Sequence, residues 1–132
     1  MERHEHLYTV DEANALVAKV RPWLLELQQL VQQLDQVNAQ LEGIGLQARS
    51  NGRAIETEEL MIRVTRLTDS AQKIVGDLID LGIEIKDPRR GLIDFRSLRA
   101  GRVVYLCWQL GEERIAYWHD LDAGFPGRQP LD

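Results

Sequence analysis

Apolar residues recur along the first part of the chain at Ala13, Leu16, Val20, Trp23, Leu27, Leu30, Leu34, Val37, Leu41 and Ile44. The spacing alternates between three and four, which marks the seam of a helix packing lengthwise on another. Glutamines, asparagine and aspartates fill the other faces. Thr9-Val10-Asp11-Glu12 reads as a capping box that opens this helix. Pro22 should kink or break it near residues 18–22. Gly43 and Gly45 weaken its end, and Ser50-Asn51-Gly52 signals a turn. A second 4-3 run, Leu60, Val64, Leu67, Ala71, Ile74, Leu78 and Leu81, predicts a helix over about residues 55–81 stopped by Gly82. Together they predict an antiparallel helical hairpin.

After Gly82 the period falls to two. Ile83–Lys86 reads as a strand, Asp87–Gly91 as a turn, and Leu92–Phe95 as a short strand. Arg99-Ala100-Gly101 turns the chain again, and Arg102–Leu110 is the best strand, rich in β-branched and aromatic residues. Gly111-Glu112 suits a two-residue II′ turn, which would return Arg114–His119 antiparallel. That register sets Val104, Leu106, Trp108 and Leu110 beside Ile115, Tyr117 and His119. Val103, Tyr105, Cys107 and Gln109 share the other face with Ala116 and Trp118. Neither face is polar, so one should lie on the helices and the other under the tail or a partner. The Gly- and Pro-containing stretch 122–130 predicts an irregular tail, anchored by Phe125 or mobile. The expected fold is α+β: one domain over 1–132, with a helical hairpin (1–82), then a small antiparallel meander and tail (83–132).

The motifs of the second half resemble a known family. Leu81-Gly82-Ile83-Glu84-Ile85-Lys86-Asp87, Gly91-Leu92-Ile93-Asp94-Phe95 and Leu106-Cys107-Trp108-Gln109-Leu110-Gly111-Glu112 carry the likeness, continued by Tyr117-Trp118-His119, Gly124-Phe125 and Gly127-Arg128. They are similar to a small uncharacterised prokaryotic family, domain of unknown function 2203, and the likeness covers the whole chain. It implies a bacterial protein of unassigned activity and supplies no catalytic residue to carry over.

Composition narrows the function classes. Residues 1–82 hold 13 acids and 8 bases, and residues 83–132 hold 8 of each, so the net charge of −5 lies in the helical part. Nucleic-acid binding would want a basic footprint instead. The lone Cys107 excludes an internal disulfide and suits a reducing cytoplasm. The N-terminus lacks the apolar core of a signal peptide, and no apolar run reaches the ~18–20 residues of a membrane span. No histidine lies between Thr9 and Leu81, which rules out a di-iron bundle built on Glu-x-x-His pairs. Walker, dinucleotide, HExxH, CxxC and nucleophile-elbow motifs are missing.

The candidate chemistry sits in the second half. Asp94, Glu112, His119 and Arg128, with Lys86, Asp87 and Glu113 nearby, lie among aromatic residues and tight turns that could hold a small anionic ligand. Against this stands a structural ion pair between Asp94 and Arg128 that pins the tail, with Glu112 belonging to its turn. Cys107 and His119 invite a metal reading, shared with Asp94, Glu112 or Asp120. The two-residue turn places them on opposite faces, so no metal and no cofactor is expected, though His119 with nearby carboxylates stays open. A Cys107 nucleophile would need a base and a lowered pKa, and its mid-strand setting suggests burial. Arg89, Arg90, Arg96, Arg99 and Arg102 form a local basic cluster best read as solvated. His4-Glu5-His6 reads as a frayed end, and Glu56, Glu58 and Glu59 suit a helix N-terminus.

The strongest signals are packing signals. They favour a cytoplasmic structural or interaction protein that self-associates through its helical hairpin as a homodimer or higher homo-oligomer, with another protein as a further partner. The alternative is a small-ligand or metal-binding protein, an enzyme among the options, with its site around Asp94, Glu112, His119 and Arg128.

Overall fold

Thr9 opens the first helix as its capping box requires: the Thr9 amide donates to Glu12 Oε1 at 2.9 Å and the Glu12 amide to Thr9 Oγ1 at 3.1 Å. The computed structural model describes residues 6–45 and 54–132. Helix α1 (Val10–Gly45) then runs for 36 residues, and α2 (Ala54–Asp80) for 27. The two pack along each other as the hairpin their seams require. The turn signal at Ser50-Asn51-Gly52 lies outside the described residues.

Pro22 does not break α1, contrary to expectation. Pro22 and Ala18 both face solvent, so the Ala18 carbonyl that loses its helical donor can turn to water. The buried stripe is also rotated slightly from the expected seam. Val17 and Leu24 are buried, whereas Leu16 and Trp23 are half-exposed. The sheet approaches from that side, so α1 buries a face wider than one partner helix would cover.

The second half is a meander of five antiparallel strands in sequence order: β1 (Ile83–Asp87), β2 (Leu92–Arg99), β3 (Arg102–Gln109), β4 (Tyr117–His119) and β5 (Gln129–Pro130). β2 outruns its short predicted span. Its far end, Arg96-Ser97-Leu98-Arg99, has a weak strand pattern but pairs fully with β3, Arg99 opposite Arg102. Ala100 and Gly101 both take positive φ, 52° and 80°, as a tight two-residue turn requires. The segment before α1 adds further support: the Tyr8 amide donates to the Arg96 carbonyl, Ser97 Oγ to the Tyr8 carbonyl, and the Tyr8 hydroxyl to the Leu81 carbonyl.

The β3–β4 connection overturns the expected II′ turn. Cys107 pairs with Tyr117, Leu106 with Trp118 and Tyr105 with His119, one residue away from the register a two-residue turn would impose. Residues 110–116 form a longer link whose bonds explain the shift. The buried Trp108 indole N–H donates to the Glu112 carbonyl, the Gln109 amide donates to Glu112 Oε1, and Asn14 Oδ1 accepts from the Ile115 amide. Ile115 thereby enters the core, 2% exposed.

A one-residue slip exchanges every side chain between the faces of a sheet. Ile83, Ile93, Phe95, Leu106, Trp108 and Trp118 join the helices in one core. Glu84, Asp94, Arg96, Tyr105, Cys107, Tyr117 and His119 share the opposite face. The tail crosses that face as a 3₁₀ turn (Phe125–Gly127) and returns as β5 beside β4.

Gly91 closes the β1–β2 turn with φ +62°, and a Cβ there would come within 2.4 Å of the Leu110 side chain. Gly91→Ala combines a left-handed residue with a clash against a packed leucine, and should cost about 2–4 kcal/mol. Urea denaturation of the two proteins checks this through the shift in midpoint.

Candidate functional site

Asp94 lies in the middle of β2, directly across from Cys107 on β3. His119 ends β4, next along the same face beside Tyr105. Sheet geometry therefore delivers three different donor groups to one spot. The nearest carboxylate, thiol and imidazole atoms all lie within 4.8 Å of one another. The three residues are 1%, 1% and 2% exposed. Cys107 and His119 share a face, so the geometric ground for separating them disappears, and Cys107 joins the candidate set.

Hydrogen bonding fixes where protons must be. His119 Nδ1 lies 2.8 Å from the Asp120 carbonyl oxygen, which can only accept. Nδ1 must therefore carry hydrogen, an assignment that follows from the partner. His119 Nε2 lies 3.0 Å from Asp94 Oδ2, so one proton is shared along that line. The other carboxylate oxygen, Asp94 Oδ1, is buried without a hydrogen-bond partner. Leaving such an atom unsatisfied costs free energy, and the Cys107 thiol hydrogen-bonds the same carboxylate. Burial pushes the Asp94 carboxyl above its ordinary range, against the pull of His119, Cys107 and Lys86. Burial first, and the Asp94 carboxylate second, push the Cys107 thiol up to about 12. A thiol in that state is no nucleophile at neutral pH.

The other two expected residues form a second pair, and the Asp94–Arg128 pair does not form. Arg128 Nη2 donates to Glu112 Oε2 at 2.6 Å. The guanidinium also lies 3.9 Å from the Tyr117 ring centroid and 4.5 Å from that of Phe125. Arg90 sits 4.3 Å from the same Phe125 ring, so Phe125 is held by two cations. Glu112 thus does two jobs: its Oε1 fixes the link after β3, and its Oε2 latches the tail. Cys107 lies between the pairs, close enough that Asp94, Arg128 and Glu112 all act on its ionisation.

Glu84 organises one edge of the face. It accepts from Lys86 at 3.0 Å, from Arg96 at 2.9 Å and from the Tyr105 hydroxyl at 2.8 Å. Burial raises its pKa, but these three donors outweigh it and hold the carboxyl below its ordinary value.

Above the Asp94–Cys107–His119 triad is a cavity of about 120 Å³, walled by Lys86, Leu92, Tyr105, Leu121 and Phe125. Glu112 and Arg128 do not line it. The four predicted residues are therefore one buried pair and one half-buried pair, and only Asp94 and His119 face the chamber. A larger cleft of about 660 Å³ lies at the start of α1 beside Arg99, Arg114 and the chain end. It is open and its charges are mixed, whereas the triad combines burial with three convergent ligand groups. The small chamber is the better candidate.

Three donors of this kind can hold a metal ion. Cysteine sulfur, histidine nitrogen and aspartate oxygen are the ligands zinc takes, and a His Nδ1–H bonded to a carbonyl is the usual support for Nε2 ligation. Loop composition does not reveal this set. One more residue in the β3–β4 link would have shown it, because that single step brings His119 beside Cys107.

A family model described as an uncharacterized conserved protein, DUF2203, matches residues 6–131. The chain belongs to that family, as its motifs in the second half indicate. No curated protein and no solved structure matches it.

The raised Cys107 pKa fixes a pH dependence. The folded state binds the thiol proton more tightly than the unfolded chain, so this stabilising contribution is complete below the ordinary value of 9.0 and is lost as pH rises from there to about 12. Denaturation midpoints measured across that window should fall steeply for the native protein. Cys107→Ala should show a shallower decline, and equal slopes would mean the thiol ionises freely in the folded state.

Proposed function

We propose that this protein binds one divalent transition-metal ion, of the zinc class, through Cys107 Sγ, His119 Nε2 and the Asp94 carboxylate. The observation that carries the reading is the convergence of these three buried donors around an unpartnered carboxylate oxygen. The alternative is a structural cluster in which Asp94 pairs with His119 and takes a hydrogen bond from the protonated Cys107 thiol. An ion in place of the site's protons would be held by the same three groups.

Distances are compatible. Nitrogen and oxygen ligands about 2.0–2.1 Å from a tetrahedral ion lie roughly 3.3 Å apart, close to the 3.0 Å between His119 Nε2 and Asp94 Oδ2. The sulfur lies within 4.8 Å of both, and a tetrahedral ion would hold it roughly 3.5 Å from each. Three protein ligands leave a fourth position, and the chamber beside Tyr105 and Lys86 is the space into which it would open. Closed structural zinc sites use four protein ligands, so this arrangement is the kind that admits water or a small ligand. Family membership is neutral here, since the family has no assigned activity. The lone thiol supports a cytoplasmic setting, where it stays reduced.

Proton balance gives the reading a signature. Without metal the site holds the thiol proton and the proton shared by Asp94 and His119. Binding requires thiolate, carboxylate and an imidazole whose Nε2 is free to ligate, so about two protons leave per ion. Calorimetric zinc titration in buffers of different ionisation enthalpy should return that number near pH 7. Cobalt(II) should produce a thiolate-to-metal charge-transfer band in the near ultraviolet. Cys107→Ser should abolish the band and His119→Ala should weaken binding at least tenfold. No heat and no band with well-folded native protein would reduce the site to a structural Asp–His pair.

A further inference from the structure

Away from the sheet, the helical hairpin has a face that one chain does not cover. Val37 and Ile44 of α1 are buried, yet neither belongs to the main core shared with the sheet. On α2, Leu60, Val64 and Leu67 stay half-exposed although they form its seam against α1. On the opposite side of α2, Ile55 and Ile62 are 74% and 48% exposed. A 27-residue helix that buries only Ala71 and Leu78 fully leaves most of its apolar stripe in contact with water. Helices draw most of their stability from packing such a stripe, so this one is incomplete.

The charges on the same stretch are arranged for a particular occupant. Ile55, Glu59, Ile62 and Arg66 follow one another at spacings of four, three and four, and so lie along one face of α2. Acidic Glu58 and Glu59 precede Ile62, and basic Arg63 and Arg66 follow it. The helix dipole accounts for acids at this end but not for the exposed isoleucines among them. We propose that this face is a homodimer interface, occupied by the same face of a second copy running antiparallel about a twofold axis near Ile62. That axis sets Ile62 against its twin, with Glu58 and Glu59 of each copy beside Arg66 of the other. A parallel arrangement would oppose like charges. A twofold contact must be self-complementary, and a sequence whose charge changes sign across its centre is so only in the antiparallel sense. Pairing two hairpins this way makes a four-helix assembly that covers Ile55 and Ile62, on the side of α2 away from its seam with α1.

The interface is independent of the metal site, so its test needs no metal. Light scattering coupled to size exclusion should give twice the 15.1 kDa chain mass. Ile62→Glu, a change at an exposed position, should give a monomer with unchanged helical circular dichroism. Glu59→Arg should weaken the dimer, and Glu59→Arg combined with Arg66→Glu should restore it. Ile62→Cys should form a disulfide-linked dimer under mild oxidation, because the axis brings the two positions together and Cys107 is buried. A monomeric native protein at tens of micromolar, or a dimer indifferent to Ile62→Glu, would overturn the proposal.

Discussion

The Trp108 indole N–H, in a side chain with no exposure, must find an acceptor inside the fold, and the Glu112 carbonyl provides it. A buried donor left unpaired would cost on the order of 1–3 kcal/mol, and the chain that supplies this carbonyl turns at Leu110-Gly111, where the Glu112 amide donates to the Gln109 carbonyl. The link becomes 110–116, Ile115 drops into the core, and β4 returns one residue displaced. Everything on the outer face of the sheet follows from this step. It is why His119 stands next to Cys107 and Asp94 rather than among the leucines that face the helices.

The same link ties the site to the tail. Glu112 holds the Gln109 amide with one carboxylate oxygen and Arg128 with the other. Arg128 in turn braces Tyr117 and Phe125, and Phe125 walls the chamber over the triad. The triad is thus kept from water by a short irregular strap lying across this part of the face. Without that cover, Asp94 and His119 would be hydrated, and their pairing would be worth little. Under it, the raised pKa values of Asp94 and Cys107 are the electrostatic consequence of keeping polar groups out of water.

The two halves of the molecule are built by different rules. The hairpin is a local structure, made from seams that each helix carries within itself. The sheet is a meander of neighbouring strands, yet its chemical content depends on register, which only contacts distant in sequence decide. Asn14 on α1 accepting from the Ile115 amide is one such contact, and Tyr8 pairing with Arg96 is another.

By itself the sequence determined the α+β class, the capped first helix, the 4-3 seams, the β1 and β3 strands and the tight turn at Ala100-Gly101, because each follows from side-chain period and turn chemistry within a few residues. It also singled out Asp94, Glu112, His119 and Arg128 as polar groups embedded among aromatics. It could not pair them, since pairing needs the register between β3 and β4, and turn propensity at Gly111-Glu112 pointed to the wrong one. It could not foresee that α1 would pass Pro22 unbroken, since that rests on Ala18 facing solvent. Tertiary structure alone decided that Arg128 goes to Glu112, that Asp94 goes to His119, and that Cys107 lies between. The physical reason is that a strand's alternation fixes which residues share a face, while only the buried partners of a distant loop fix which face they share.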